Sequence, residues 1–317
     1  MGYHRLYSHI AFKAKWPVRL FVMLFGAASF ENSAIDWVSD HRKHHKHVDH
    51  DDDPYDISKG FWYAHIGWLL FKLRPEPPLD NVNDMFRDPL AVWQHKYVHW
   101  IGLVVGFVIP PVIGFIYGGP IAALGAFLLA GVLRVTVVQH STFCINSVCH
   151  TFGKRTYSSQ CSARDSGLVA FITFGEGYHN YHHEFQHDYR NGVKPWQFDP
   201  TKWSIWLLSK VGLASDLRRV PQAKILLAEL TEARRRIDIH LEQCSKSIPE
   251  HGQELWESTR AAVQRISDNL AARAHDLQEA TKDKLHVSQE TVRALRQEVA
   301  QAMRLLDRFR AYIPASA

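Results

Sequence analysis

The sequence predicts an all-α, integral membrane helical protein, with a cytosolic histidine-rich helical domain and a C-terminal amphipathic extension. Three observations predict it. The stretch Ile101 to Leu133 is almost wholly apolar. Sixteen of the 20 histidines lie before Pro221. Beyond Pro221 the residues turn charged and helix-favouring, with apolar positions at helical steps.

In chain order, Met1 stands three residues before His4 with no apolar stretch between them, so no signal peptide is expected. Val18 to Ala34 begins apolar but takes in Glu31 and Asn32, which predicts a helix at the membrane surface or inside the protein. Ile101 to Tyr117, at 1.5 Å per residue, is about 26 Å long, near the minimum for a crossing. Gly118, Gly119 and Pro120 then read as the turn of a helical hairpin over about 101–138, with Arg134 at the interface or facing the interior. The tail carries Leu226, Leu230, Ile237 and Leu241, then Val263, Ile266, Leu270 and Leu277, with a break at Ser247-Ile248-Pro249 and Gly252. It predicts a helical hairpin or short coiled coil for packing or oligomerisation. The expected domains are a core, 1–220, and a helical extension, 221–317.

The net charge is +5 and the pI about 9.0, but the basic residues form no stripe, so no nucleic-acid partner is expected. Cys144, Cys149, Cys161 and Cys244 make no C-x-x-C pair, which suits a reduced, cytosol-facing protein.

The histidines form three clusters: HRLYSH (His4, His9), HRKHHKH (His41, His44, His45, His47) and HNYHH (His179, His182, His183). On a helix, positions i, i+3 and i+4 share a face, so each of the last two clusters can aim three imidazoles at one point. Six nitrogens exceed the four ligands of one zinc ion and imply two metals, and imidazole-rich coordination with open positions suits iron. His4 and His9 are five apart, about 140 degrees around an α-helix, and read as a surface pair on spacing alone. A rival reading overlaps the third cluster. HEFQH fits H-E-x-x-H, a zinc protease pattern with His183 and His187 as ligands and Glu184 as base. Glu176-x-x-His179 and Glu184-x-x-His187 fit the ferritin-like E-x-x-H, but both sit on one stretch where that fold uses different helices.

HRLYSH, DHRKHH and GEGYHNYHH resemble the three histidine boxes of the membrane fatty acid desaturases, in the delta-9 acyl-CoA branch. WVSDHRKHHKHVDHDDDPYDISKGFWYAHIGWL, QHSTFCINSVCH and YRNGVKPWQFDPTKW are similar to that branch too, so the likeness covers about Met1 to Arg219. The resemblance implies nine histidine ligands on two iron ions. His4, His9, His41, His44 and His182 would hold one. His45, His150, His179 and His183 would hold the other, with Asn146 acting through a water. It places Trp37 and Thr142 beside the bend of a bound acyl chain and Asp40 near its head group, with Asp40 and Glu176 also able to orient ligand imidazoles. The implied reaction takes a saturated acyl chain, O2, two electrons and two protons to a cis alkene and water. The acyl chain would be carried as an acyl-CoA, with lipid and acyl carrier protein as alternatives. The implied partners are membrane lipid and an electron donor (ferredoxin, a cytochrome b5-like protein, or a flavin or iron–sulfur reductase). The active site would face the cytoplasm.

The chain departs from the pattern twice. Family members carry two membrane helices before the first box, whereas only Met1-Gly2-Tyr3 precedes His4 here, so a core lacking that pair, and with it a catalytically incomplete fragment, is an alternative expectation. Ser39 stands where the animal acyl-CoA enzymes carry arginine near the coenzyme A head group, leaving Lys72 and Arg74 to supply positive charge.

Overall fold

The computed structural model describes residues 1–71, 77, 79–245, 253–282 and 288–312. It divides into two compact units, Met1–Arg155 with Gln160–Arg219, and Thr156–Ser159 with Val220–Ala317.

The first unit opens with a π-helical turn, Gly2–Ser8, in which the His9 N–H reaches back five residues to the His4 carbonyl at 3.1 Å. Strand β1 (Lys13–Ala14) pairs antiparallel with β2 (Ala214–Ser215). Helix α1 (Trp16–Ala27) starts on Pro17, whose fixed φ suits a first turn. It buries Val18, Val22 and Met23 and leaves Phe21 and Phe25 exposed. It ends earlier than the sequence predicts, so Glu31 and Asn32 lie in the turn before α2 (Ala34–His47). Ser33 caps α2, accepting from the Asp36 N–H at 3.1 Å. Apolar Ala34, Ile35 and Val38 are buried, which anchors the histidine-bearing end of the helix.

After the short helices α3 (Trp68–Leu70) and α4 (Asn83–Phe86), Asp88 and Pro89 start α5 (Pro89–Leu103). A π segment, Val104–Val108, joins α5 to α6 (Ile109–Ala126), and a second, Phe127–Leu133, joins α6 to α7 (Arg134–Thr151). The turn falls at Gly118 and Gly119, where Gly119 takes φ 67°, a left-handed conformation open to glycine. The two arms lie so close that a Cβ on Gly114 would sit 2.6 Å from the Ala122 carbonyl oxygen, and one on Gly131 would sit 2.9 Å from Phe107. The hairpin is longer than the predicted 101–138, because the polar residues after Val138 continue the helix to Thr151. Pro89–Thr151 is long and apolar enough to cross a membrane, and only 6% of its most apolar window is buried. A soluble core helix of that composition would be covered.

Helices α8 (Gly167–Ile172), α9 (His179–Glu184) and α10 (Pro200–Lys210) complete the first unit. Its core gathers Leu6, Phe12, Met23, Ile35, Met85 and Ile205.

The second unit contains α11 (Gln222–Ser245), α12 (Gln253–Lys282) and α13 (Gln289–Tyr312). Leu226, Leu230, Ile237, Val263 and Leu270 form its core with Leu295 and Ala302, and Leu241 and Ile266 pack against it. The last two buried residues belong to α13, a third helix beyond the hairpin that the sequence predicts. The break at 247–249 and 252 and the Leu277 side chain lie outside the described residues.

Candidate metal centre

Three segments present the first box, the second box and the third. The π turn closes residue i on i+5, which brings His4 and His9 to one side despite their poor α-helical spacing. Their ring centroids lie 4.8 Å apart. Arg42 on α2 donates to the carbonyls of Tyr7 and Ser8 at 3.0 and 3.2 Å, fastening the first box to the second. Arg5, 1% exposed, donates to Asp199 Oδ2 at 3.0 Å and to Glu176 Oε1 at 3.1 Å. Asp199 also caps α10 and accepts from the Asn191 and Gly192 N–H groups, so one carboxylate organises the whole approach to the third box. Gly177 allows that approach: a Cβ there would stand 2.1 Å from the Ala170 nitrogen.

The result is two groups of imidazoles. His4, His9, His41, His45 and His182 form one; His44, His150, His179 and His183 form the other; within each, the ligand atoms lie within 4.8 Å of one another. The Nε2 atoms converge. In the first group the separations are 3.0 Å for His4 and His182, 3.0 Å for His182 and His45, and 2.9 Å for His9 and His41. In the second, His44, His183, His179 and His150 follow one another at 3.3, 3.0 and 3.0 Å.

Hydrogen bonds between the rings cannot satisfy the second row. His44 Nδ1 lies 2.8 Å from Asp53 Oδ1, and a carboxylate only accepts, so Nδ1 carries the proton and Nε2 bears a lone pair. His150 Nδ1 meets Ser162 Oγ at 2.5 Å; that hydroxyl donates to Asp49, so His150 is also the donor at Nδ1 and a lone pair at Nε2. With both ends as acceptors, His183 and His179 would each have to donate outward, which sets two N–H groups face to face between them. One contact fails under every tautomer. A cation between the nitrogens resolves it, and the donor set therefore fits a bound metal.

The separations also bear on coordination. Nitrogens about 2.1 Å from one ion lie about 3.0 Å apart at a right angle and about 3.4 Å apart at a tetrahedral angle. Five of the six values, 2.9–3.0 Å, match the former, and the 3.3 Å between His44 and His183 is nearer the latter. Burial, with the neighbouring imidazoles adding to it, holds His9, His41, His45, His179, His182 and His183 well below the ordinary histidine range, so they are neutral and able to ligate. His4 Nδ1 lies 2.8 Å from Glu176 Oε2. Burial opposes ionisation of Glu176, but Arg5 and His4 outweigh it and hold the carboxyl well below its usual range.

Beside the imidazoles lies a cavity of about 440 Å³, with Phe21, Phe25, Phe30 and Phe143 among its apolar walls and His4, His41, His44 and His179 at its polar side. Trp37 lines it and stacks on His41 at 4.7 Å and 18°.

A family model for fatty acid desaturases matches residues 1–206. Acyl-CoA desaturase 1 of Saccharomyces cerevisiae is 44% identical over 239 residues, 75% of this chain and 46% of that protein. Stearoyl-CoA desaturase 5 of Bos taurus is 36% identical over 229 residues, covering 71% and 68%. Delta(9)-fatty-acid desaturase fat-7 of Caenorhabditis elegans is 36% identical over 223 residues, covering 69% and 66%. The chain belongs to the fatty acid desaturase family. It spans about half the length of the yeast relatives it matches, 46% and 47%.

Within this desaturase core, all nine histidines singled out in the sequence fall into the two groups, but the division differs from the one the resemblance implies. His45 joins His4, His9, His41 and His182, and His44 joins the other set. The reason is helical: adjacent residues diverge by about 100 degrees, so His44 and His45 cannot address one point, and His45 lies one turn beyond His41. Asp53 then fixes His44 toward the second set. Trp37, Thr142 and Asn146 line the cavity. Asp40 is buried on α2 and is not among the lining residues. Ser39 donates to Asn81 Oδ1 at 2.8 Å. Lys72 and Arg74 lie outside the described residues.

The zinc protease reading loses its geometry. Helix α9 ends at Glu184, so His183 and His187 share no helical face, and His187 Nδ1 donates to the His9 carbonyl at 2.9 Å. Sequence reasoning missed Asp53, Asp49 and Ser162. The acidic run HVDHDDD directly after the second box was the available signal.

Proposed function

We propose that this chain is the core of an O2-dependent fatty acyl desaturase that introduces a cis double bond, at the delta-9 position, into a saturated chain carried as an acyl-CoA. The observation that carries the reading is the pair of imidazole groups set against an apolar cavity. Two iron ions are the proposed metals, one per group, with Asn146 assisting the second through a water. Iron supplies the activation of O2 that removal of hydrogen from an unactivated methylene requires.

The chain's own residues do the rest. Glu176, Asp53 and Ser162 hold the protons of His4, His44 and His150 on Nδ1, which keeps the Nε2 lone pairs aimed inward. The phenylalanine-lined cavity takes the acyl chain and excludes water. Trp37 and Thr142 shape the wall beside the imidazoles, where a chain would bend. Electrons come from an external donor, a ferredoxin, a cytochrome b5-like protein or a flavin or iron–sulfur reductase. The hairpin Pro89–Thr151, with its exposed apolar arms, seats the chain in lipid, and the imidazole groups face the cytoplasm.

Expression in a host unable to desaturate, with its fatty acids read by gas chromatography, tests the proposal. A new monounsaturated acid is expected; none, with iron bound and the protein folded, would refute it.

A further inference from the structure

Glu31 brings a carboxyl into the cavity's apolar part. It lies in the turn between α1 and α2 and lines the cavity with Phe25, Phe30, Trp37 and Thr142. Trp37 Nε1 donates to its Oε2 at 3.2 Å, and the Thr142 side chain also bonds it. Thr142 has one hydroxyl proton and places it on the Val138 carbonyl at 3.1 Å, which leaves its oxygen to accept. A neutral carboxyl has a proton to give that oxygen; a carboxylate has none. Burial pushes the Glu31 carboxyl up to about 7, against the opposing pull of the Trp37 N–H.

The titratable and charged groups around this turn are few in kind. Tyr3 faces it from the π turn, Asp36 lies on α2, and His95 meets the end of the turn from α5, its Nδ1 2.7 Å from Ser33 Oγ and 3.5 Å from Asp36 Oδ2. Arg134 reaches over from α7, its Nε and Nη1 donating to the carbonyls of Ala130 and Ala28. His4, His41 and Glu176 line the same cavity on its imidazole side.

We propose that Glu31 is a positioning residue of the acyl cavity: neutral, it bridges Trp37 and Thr142 and leaves an uncharged wall for an apolar chain; ionised, it excludes that chain. The inference rests on the acyl reading above. Its chemistry follows from the cost of keeping a charge against an alkyl chain with no water to solvate it. Only the neutral fraction is competent to bind, so the apparent dissociation constant scales inversely with that fraction.

Equilibrium binding of labelled stearoyl-CoA to the full chain, as wild type, Glu31→Gln and Glu31→Ala, tests it over pH 6 to 8. The wild-type dissociation constant is expected to rise about tenfold between pH 6 and pH 8, as the neutral fraction falls from about ten elevenths to about one eleventh. Glu31→Gln, which keeps the shape and cannot ionise, should bind tightly and equally at both. Glu31→Ala should bind more weakly at both, because Trp37 loses its acceptor. A Glu31→Gln profile that rises with the wild type overturns the inference and leaves the acyl reading standing. Absence of stearoyl-CoA binding at every pH overturns both.

Discussion

Replacing Asp53 by asparagine tests whether the two imidazole groups are separate metal sites with separately held ligands. Asp53 is 1% exposed, and its Oδ1 accepts from His44 Nδ1 while its two oxygens also take the N–H groups of Tyr55 and Asp49. Asparagine preserves the volume and one acceptor but removes the charge, and charge-assisted bonds are about twice as strong as neutral ones. Loss of such an outer partner costs about 10–100-fold in metal affinity, or about 1.4–2.7 kcal/mol. His44 serves one group alone, so the loss should fall on one of two metal equivalents. Metal content measured by mass spectrometry, after dialysis against a graded chelator, should show one equivalent leaving Asp53→Asn 10–100-fold more readily than wild type, with the other unmoved. Glu176→Gln, acting on His4, should show the converse. Both equivalents shifting together in Asp53→Asn, with unchanged circular dichroism, would refute the two-site grouping.

Other outcomes follow from the same geometry. His150→Ala should lose desaturation as completely as a substitution in any box, whereas His187→Ala should keep its metal and cost about 0.5–1.5 kcal/mol in thermal unfolding, the worth of its bond to the His9 carbonyl. In metal-free protein the depressed Glu176 carboxyl contributes stability that is fully present above about pH 4.5, the ordinary glutamate value, and is lost as pH falls through the lower folded-state value. An acid titration followed by circular dichroism should therefore flatten in Glu176→Gln. Gly114→Leu should force the hairpin arms apart at Ala122 and cost about 1–3 kcal/mol, read as a lowered melting temperature in detergent.

The residues differ in how far the sequence alone exposes their roles. His41, His44, His45 and His179, His182, His183 were legible as ligand candidates because helical steps of three and four are local, but not as aiming at one point, since each triplet divides between the two groups. His4 and His9 were not, since their convergence depends on a π turn that α-helical arithmetic cannot anticipate. His150 has no neighbouring histidine and joins its group only because α7 passes the third box; family resemblance, not spacing, supplied it. The exchange of His44 and His45 was hidden for a related reason: which way a helix faces is set by partners such as Asp53, and those are contacts across a loop. The apolar hairpin was plain from composition, yet its continuation past Val138 to Thr151 rests on helical bonding that hydropathy does not report.

The chain path through the first group bears on how the protein is made. His4 meets His182 across 178 residues, and Arg5 reaches Asp199 across 194. Contacts that distant carry a loop-closure cost that must be met before any of them rewards it, so the first group closes late in folding, after the helices that flank it. A metal that binds only the closed form then pulls the equilibrium toward it by mass action, in proportion to the logarithm of its free concentration over its dissociation constant. Yield of folded protein from cells should therefore track iron supply during synthesis, before any question of turnover arises.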